Sequence, residues 1–209
     1  MNQDNNRTLQ RNAAEHVLGR LEQIIRRGRP SCLTGPAGDW IWLDPAAGLY
    51  TAHAGRDGDF SWLHTDALDI RTCPAAPSGS ESARPVSELM WQVAYHFTDG
   101  ELLYGCGPHD VIELHQWPNL TRLPHTREMI MLASMLFKRP ASLSFTYRVL
   151  RIPQADAFTF YSAARAAGLI RTVSTLPAAN SAPPVDVSDD SSSTGKGLWQ
   201  RLFHRFARL

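Results

Sequence analysis

Residues 127–170 have the sequence REMIMLASMLFKRPASLSFTYRVLRIPQADAFTFYSAARAAGLI, which predicts three short helices joined by two tight turns. Apolar residues recur at helical spacing, and a proline stands at each turn. We place the first helix at 127–137, the second at 141–150 and the third at 153–167, with Gly168 ending the third. In the first helix we expect the following side chains to be largely buried: Ile130, Met131, Ser134, Met135 and Phe137.

The third helix of this stretch offers few groups that bind DNA. Helical spacing places Ala157, Tyr161 and Ala164 toward the core. Phe158 and Phe160 are not expected to fit into that core together. The module surface is therefore predicted to comprise Gln154, Phe158 and Arg165, with Asp156, Thr159 and Ser162 beside them. Of these side chains, only the glutamine and the arginine are good donors to base edges or phosphates, so the helix favours contact with protein.

The order of these elements resembles the winged helix-turn-helix pattern of many bacterial regulators, with a tight turn before the third helix and a strand after it. That resemblance implies that the third helix is the recognition helix. No hairpin wing is evident after Ile170, because RTVSTLPAAN leads directly into a low-complexity segment. Residues 122–171 nevertheless carry eight basic and two acidic groups, a net charge of +6, which suits phosphate binding. A DNA-binding transcriptional regulator is therefore the alternative to a protein-binding module, and a purely structural helical cap on the sheet is the third interpretation.

Two segments of the chain, HQWPNLTRL (115–123) and FTFYSAARAAGLI (158–170), resemble those of a family of uncharacterised bacterial proteins. In that family a Trp-Pro-Asn-Leu-Thr stretch precedes a three-helix module. The resemblance covers roughly residues 86–172 and implies the domain layout, but no catalytic residue. Within the first segment, Trp117 and Pro118 favour an extended approach, and the side-chain amide of Asn119 can close a turn. We interpret these three residues as a structural anchor.

The residues before this three-helix stretch predict two further helices and a sheet. Apolar positions recur at helical spacing over 9–25 and again over 86–98. Between them, residues 31–73 contain short runs of β-forming residues separated by turns rich in glycine and proline, which predict a small antiparallel sheet. In the run DWIWLD the strand period of two places Trp40 and Trp42 on one face, which we expect to be the core of the sheet.

The whole chain is thus predicted as an α+β protein in five segments. An N-terminal helix and small antiparallel sheet occupy 1–73, a connector 74–85, a winged-helix-like helical module 86–173, a disordered linker 174–195 and an amphipathic docking helix 196–209. Charge differs sharply among these parts, because residues 39–113 carry twelve acidic and three basic groups, whereas 196–209 carry four basic groups and no acid. Such asymmetry suits either attraction between segments or an anionic partner.

The last twelve residues, LWQRLFHRFARL (198–209), form an amphipathic pattern at 100° per residue. A helix with one apolar and one basic face suits the surface of an anionic membrane or a groove on a protein partner. A helix that folds back on the protein's own body is the third interpretation. The predicted docking residues are Leu198, Trp199, Leu202, Phe203 and Phe206 on the apolar face, and Arg201, Arg205 and Arg208 on the basic face.

No motif in the sequence indicates a catalytic, cofactor or metal site. The densest group of possible ligands, Cys106–His109 with His115 beyond it, lacks the spacing of paired zinc motifs. Phosphate-loop and nucleophile-elbow patterns are missing as well. Three widely spaced cysteines do not predict a disulfide framework. No apolar run reaches membrane length, and residues 1–10 lack the charged-then-apolar order that is typical of a secretory signal, so we do not expect one.

We therefore expect a non-enzymatic regulatory or adaptor protein. It would be cytoplasmic, either free or peripheral at the inner face of the membrane. Its expected partners are a protein and an anionic membrane surface, with nucleic acid as the alternative.

Overall fold

The fold combines helices with two antiparallel sheets, as the computed structural model shows for residues 16–53, 60–64, 68–77 and 82–174. These residues contain five α-helices and belong to one compact unit, which spans residues 1–178. The second unit, residues 179–209, lies outside the described residues. The prediction of an α+β protein with a small antiparallel sheet is confirmed.

The first helix, α1, is described over residues 16–27. Its buried side chains repeat at helical spacing, as an amphipathic helix requires. The helix ends at Gly28, whose φ of 67° is a left-handed conformation that glycine adopts without steric cost. The N–H of Gly28 donates to the carbonyl of Ile25 at 3.1 Å and so closes the last turn.

A five-stranded sheet follows α1, with the strand order β4-β1-β2-β3-β5 and antiparallel pairing throughout. Its strands are β1 (Ser31–Thr34), β2 (Trp40–Asp44), β3 (Leu49–His53), β4 (Asp69–Thr72) and β5 (Arg84–Pro85). A short 3-10 helix, Ser61–His64, lies between β3 and β4 along the chain. Because β4 and β5 are edge strands, each leaves one side of its backbone without a ladder partner in this sheet.

The core face of β2 is not the one that the tryptophans suggested. Ile41 and Leu43 are fully buried, whereas Trp40 and Trp42 lie on the opposite face and are half-buried. Trp40 stacks on His53 with ring centroids 6.1 Å apart, and the indole N–H of Trp42 donates to the carbonyl of Cys73 at 3.0 Å. The expectation that the tryptophans form the sheet core was therefore wrong. Both faces of this strand carry apolar side chains, and the aliphatic face, not the tryptophan face, packs into the core.

Helices α2 (Val86–Phe97) and α5 (Gln154–Ala166) form the most extensive helix contact among the described residues. Trp91 of α2 meets Phe160 of α5 edge to face, with ring centroids 5.9 Å apart, and both side chains are fully buried. Packing of this kind contributes beyond the buried area alone. None of the helices in the described ranges has the length and apolar character that crossing a membrane demands.

A three-stranded sheet lies beside the remaining helices, with the order β7-β6-β8. The strands are β6 (Val111–Leu114), β7 (Ala141–Ser142) and β8 (Ile170–Ser174), and the helices are α3 (Arg127–Lys138) and α4 (Leu143–Leu150). The central strand, β6, precedes all three helices of the module in sequence, and both of its neighbours pair with it in the antiparallel sense. The closing strand β8 is thus paired with an upstream strand.

Candidate functional site

The third helix of the module, α5, is buried along most of its length. All eight residues from Ala157 to Ala164 are buried, because α2, α3 and α4 all contact this helix. Phe158 is only 8% exposed and meets Tyr147 edge to face at 6.3 Å, so its predicted place on the module surface was wrong. Phe158 and Phe160 are both accommodated, since separate neighbours receive the two rings.

The polar side chains of α5 serve internal contacts. Ser162 accepts a hydrogen bond from the N–H of Leu103 and donates one to the carbonyl of Glu101, each at 3.2 Å. Tyr161 donates to the buried carboxylate of Asp110 at 2.7 Å. Burial of the phenol raises the pKa of Tyr161 above its ordinary value, and the hydrogen bond to Asp110 raises it further, whereas a hydrogen bond with Thr172 acts in the opposite direction. These bonds attach the connection between α2 and β6 to the middle of α5.

The two exposed residues predicted for the module surface lie at opposite ends of α5. Gln154 begins the helix and Arg165 stands eleven positions later, which corresponds to about 16 Å along the axis. Arg165 donates to the hydroxyl of Thr172 at 3.3 Å. In the first turn of the helix, burial and the carboxylate of Glu128 raise the pKa of Asp156. Because Phe158 between them is buried, the predicted set does not form one continuous surface.

Helix α3 carries exposed apolar side chains that the sequence had placed in the core. Its buried set is Met129, Leu132, Ala133 and Leu136. The outward positions include Ile130, Met131 and Phe137, of which Phe137 is 49% exposed, and Ser134 is exposed as well. The expectation of burial for these four was wrong, because one stripe of the helix satisfies the core. Met135 is half-buried.

Trp117 lies against this outward side of α3. It is 43% exposed and meets Phe137 edge to face, with ring centroids 5.8 Å apart. Three exposed basic residues, Arg127, Lys138 and Arg139, lie on the helix or directly after it. We define the aromatic-basic face as Trp117, Ile130, Met131 and Phe137 together with Arg127, Lys138 and Arg139.

The segment after Trp117 is fixed to α2. Pro118 is buried, and the side-chain amide of Asn119 donates to the carboxylate of Glu88 at 3.1 Å. Glu88 is 5% exposed, and its second oxygen has no hydrogen-bond partner among the described residues. The carbonyl of Asn119 also accepts the N–H groups of Arg122 and Leu123, which closes a turn. These contacts position Trp117 against α3.

The turn Cys106–His109 makes backbone and side-chain contacts with the start of α4. The N–H of Ser144 donates to the carbonyl of Pro108 at 2.8 Å, and the Ser144 hydroxyl lies 3.1 Å from Nδ1 of His109. Ser142 lies 3.0 Å from the same hydroxyl. Within the described ranges, no three histidine, cysteine, aspartate or glutamate side chains are placed to hold a metal ion.

The predicted docking helix lies outside the described residues. This applies to its apolar positions Leu198, Trp199, Leu202, Phe203 and Phe206, and to its basic positions Arg201, Arg205 and Arg208. The aromatic-basic face, by contrast, is fully described and was not anticipated as a surface. The one sequence signal that could have suggested it is that the apolar residues of α3 outnumber those that one buried stripe can hold.

Comparison of the chain with protein-family models, with curated proteins and with solved structures finds no match.

Proposed function

We propose that this protein is a non-enzymatic regulatory or adaptor protein. It binds a protein partner through its three-helix module and docks to a membrane or a partner through residues 198–209. The site of partner binding in the module is the aromatic-basic face. The protein would act in the cytoplasm, either free or peripheral at the inner membrane face.

The observation that carries this proposal is the exposed pair of Trp117 and Phe137. Aromatic side chains are enriched where proteins bind one another, and truncating them causes the largest losses of affinity. Ile130 and Met131 extend the apolar area, and the adjacent cations give it a positive rim. Exposed apolar side chains rimmed by polar residues are typical of a binding site.

We interpret the module as winged-helix-like because α3, β7, α4, α5 and β8 follow one another in the order of that pattern. It departs from the pattern in its third strand, since β8 pairs with the upstream strand β6. It departs in its third helix too. A recognition helix must expose one long side to the major groove, and residues 157–164 of α5 are buried. The departure favours a protein-binding use of the module.

Capture of the partner by the full-length chain tests the aromatic-basic face. We expect a protein retained by the wild type to be lost with Phe137→Ser and with Trp117→Ser. Tyr104→Ser is the matched control, because Tyr104 is an exposed aromatic residue outside the three helices. Equal retention by all four proteins, measured by quantitative mass spectrometry, would contradict this use of the face.

Membrane docking by residues 198–209 is supported by the amphipathic sequence pattern alone. Sedimentation with vesicles of 30% anionic lipid compares the full chain with a chain that ends at residue 195. The shortened chain should lose vesicle binding, or lose a partner that the full chain captures. If the truncation changes neither, the docking proposal fails.

A DNA-binding regulator is the second candidate, because all eight basic residues of 122–171 are exposed. Gel-shift titration over a range of salt concentrations separates the two candidates. An affinity that falls steeply with salt and weakens in Arg148→Ala or Arg165→Ala would favour DNA. The buried α5 leads us to expect weak binding that is independent of sequence.

A further inference from the structure

A cavity of about 440 Å³ lies between the end of α1 and the edge strand β4. Its volume is in the range of small-molecule sites. Its wall combines apolar, cationic and hydroxyl-bearing side chains: Ile24, Arg27, Arg29, Ser31, Ile70 and Thr72. None of these residues belongs to the aromatic-basic face.

The sheet register explains the apolar part of the cavity. Leu33 of β1 and Ile70 of β4 are cross-strand partners and share one face of the sheet. Leu33 is 1% exposed, whereas Ile70 is 38% exposed. The neighbouring pair, Ser31 and Thr72, places two hydroxyl side chains on the same face. An apolar side chain at the edge of the sheet is therefore left open toward the cavity.

The cationic part of the cavity consists of Arg27 and Arg29, whose ion pairing can be compared with that of two nearby arginines. Within the described ranges, neither Arg27 nor Arg29 has a carboxylate within 4.0 Å. Two nearby arginines differ in this respect, since Arg26 pairs with Glu22 at 2.8 Å and Arg71 pairs with Asp69 at 2.6 Å. The C-terminal end of a helix stabilises a cation, which explains why Arg27 needs no carboxylate partner there. Arg29 lies beyond the helix, so the helix dipole does not explain its lack of a described partner.

We propose that this cavity binds a small organic anion, in which a carboxylate or phosphate group is joined to an apolar body. The guanidinium groups of Arg27 and Arg29 bind the anionic group, because arginine donates paired hydrogen bonds that match carboxylate and phosphate oxygens. Ile70, which is 38% exposed, contacts the apolar body. The proposal is independent of the proposed partner and membrane binding.

Isothermal titration of the full chain with four probes tests this assignment. Decanoate and decyl phosphate carry both parts of the ligand, decanol lacks the charge, and inorganic phosphate lacks the apolar body. We expect the first two to bind at least about tenfold more tightly than the last two, since each part contributes more than about 1.4 kcal/mol. Equal affinity for inorganic phosphate and decyl phosphate would show that the apolar body contributes nothing and that the arginines attract anions nonspecifically, which would overturn the proposal.

Two substitutions and a control locate the binding site. Arg27→Gln and Arg29→Gln should each weaken decanoate binding about fivefold or more, as expected for loss of a charge-assisted hydrogen bond. Arg26→Gln removes the same charge from the same helix at a paired position and should leave the affinity unchanged. All these side chains are exposed, so circular dichroism should report unaltered folds. Undiminished decanoate binding by the Arg27→Gln, Arg29→Gln double variant would overturn the proposal.

Vesicles containing phosphatidate identify the source of the anion once decanoate binding is lost in the double variant. This comparison is made in full-length chains that also carry Phe203→Ser and Phe206→Ser, which remove the proposed membrane binding by residues 198–209. If the double variant then loses vesicle binding, the site takes a lipid headgroup. If vesicle binding is unchanged, or is absent even with both arginines in place, the site takes a soluble anion. Both results support an anion site at Arg27 and Arg29.

Discussion

Tyr161 and Asp110 are joined by a 2.7 Å hydrogen bond across 51 positions of sequence. Both side chains are buried, and the same carboxylate oxygen also accepts the N–H of Gly107 at 2.7 Å. The bond connects the middle of α5 to the residue that precedes β6. It thereby links the helix pair of the core to the three-stranded sheet.

We predict that Tyr161→Phe lowers the free energy of unfolding by about 1–3 kcal/mol, because Asp110 keeps a buried carboxylate with one partner fewer. Urea titration at pH 7 measures the change. Ser134→Ala is the control, since Ser134 is exposed and its hydroxyl donates to the carbonyl of Ile130 within its own helix. A loss no larger than that of the control would show that the buried bond contributes nothing.

The raised pKa of Tyr161 also predicts how the stability of the protein depends on pH. Burial raises the pKa of Tyr161 in the folded protein above the ordinary value of 10.0. Above pH 10 the unfolded chain releases this proton while the folded chain retains it, so the stability that is fully present below pH 10 decreases as the pH rises toward the folded pKa. Unfolding between pH 8 and 11 should show a decrease for the wild type beyond that of Tyr161→Phe. Parallel curves for the two proteins would contradict the raised pKa.

Gly100→Ala should destabilise the protein more than Gly28→Ala. Both glycines have positive φ, 80° and 67°, so alanine at either site costs about 1 kcal/mol in backbone strain. At Gly100 a Cβ would also lie 2.8 Å from the Cβ of Ala155 on α5, whereas no atom lies within 4 Å at Gly28. The midpoint temperature of thermal unfolding, measured for both variants, separates the effect of the steric clash at Gly100 from the backbone strain that both variants share. Equal losses would mean that the chain around Gly100 adjusts freely.

Asn119→Ala should destabilise the protein by about 2–4 kcal/mol, because it leaves the buried carboxylate of Glu88 without its partner. In a Glu88→Gln background the same substitution should cost less, since no buried charge remains. A double-mutant cycle in urea measures this coupling. A coupling near zero would mean that Asn119 acts through its backbone turn alone.

Phe160→Ala should lower the free energy of unfolding much more than Phe137→Ser, because the first ring lies in the core and the second at the surface. Phe160 is fully buried, so its truncation should cost about 3–5 kcal/mol. Phe137 is 49% exposed, and its replacement should cost less than about 1 kcal/mol. Chemical denaturation of both variants provides the comparison. A large loss for Phe137→Ser would mean that this ring serves the fold more than an interface.

Sequence patterns predicted the elements of this fold better than the faces that those elements bury. The three helices of the module lie within a few residues of their predicted ranges, because proline and glycine mark their ends. Periodicity could not show which face of β2 is buried, since Trp40 and Trp42 alternate with Ile41 and Leu43, which are equally apolar. The choice depends on what packs against the strand.

The candidate site was missed for the same reason. Phe158 was expected at the surface because one helical face already supplied a core, but helices from both sides enclose α5. Ile130, Met131 and Phe137 were expected in the core because they are apolar. Neither assignment can be made without the positions of neighbours that are distant in sequence.

The central position of β6 determines when the three-stranded sheet can form during synthesis and where the chain can be cut to give a folded fragment. Leu114 pairs with Ile170, so the sheet is completed only after more than fifty further residues have left the ribosome. A fragment that starts after residue 114 would lack the middle strand, and the backbones of β7 and β8 would be open to pairing with other molecules. Expression of such a fragment would therefore yield an aggregating species, whereas a chain that begins upstream of α2 retains every strand of this sheet.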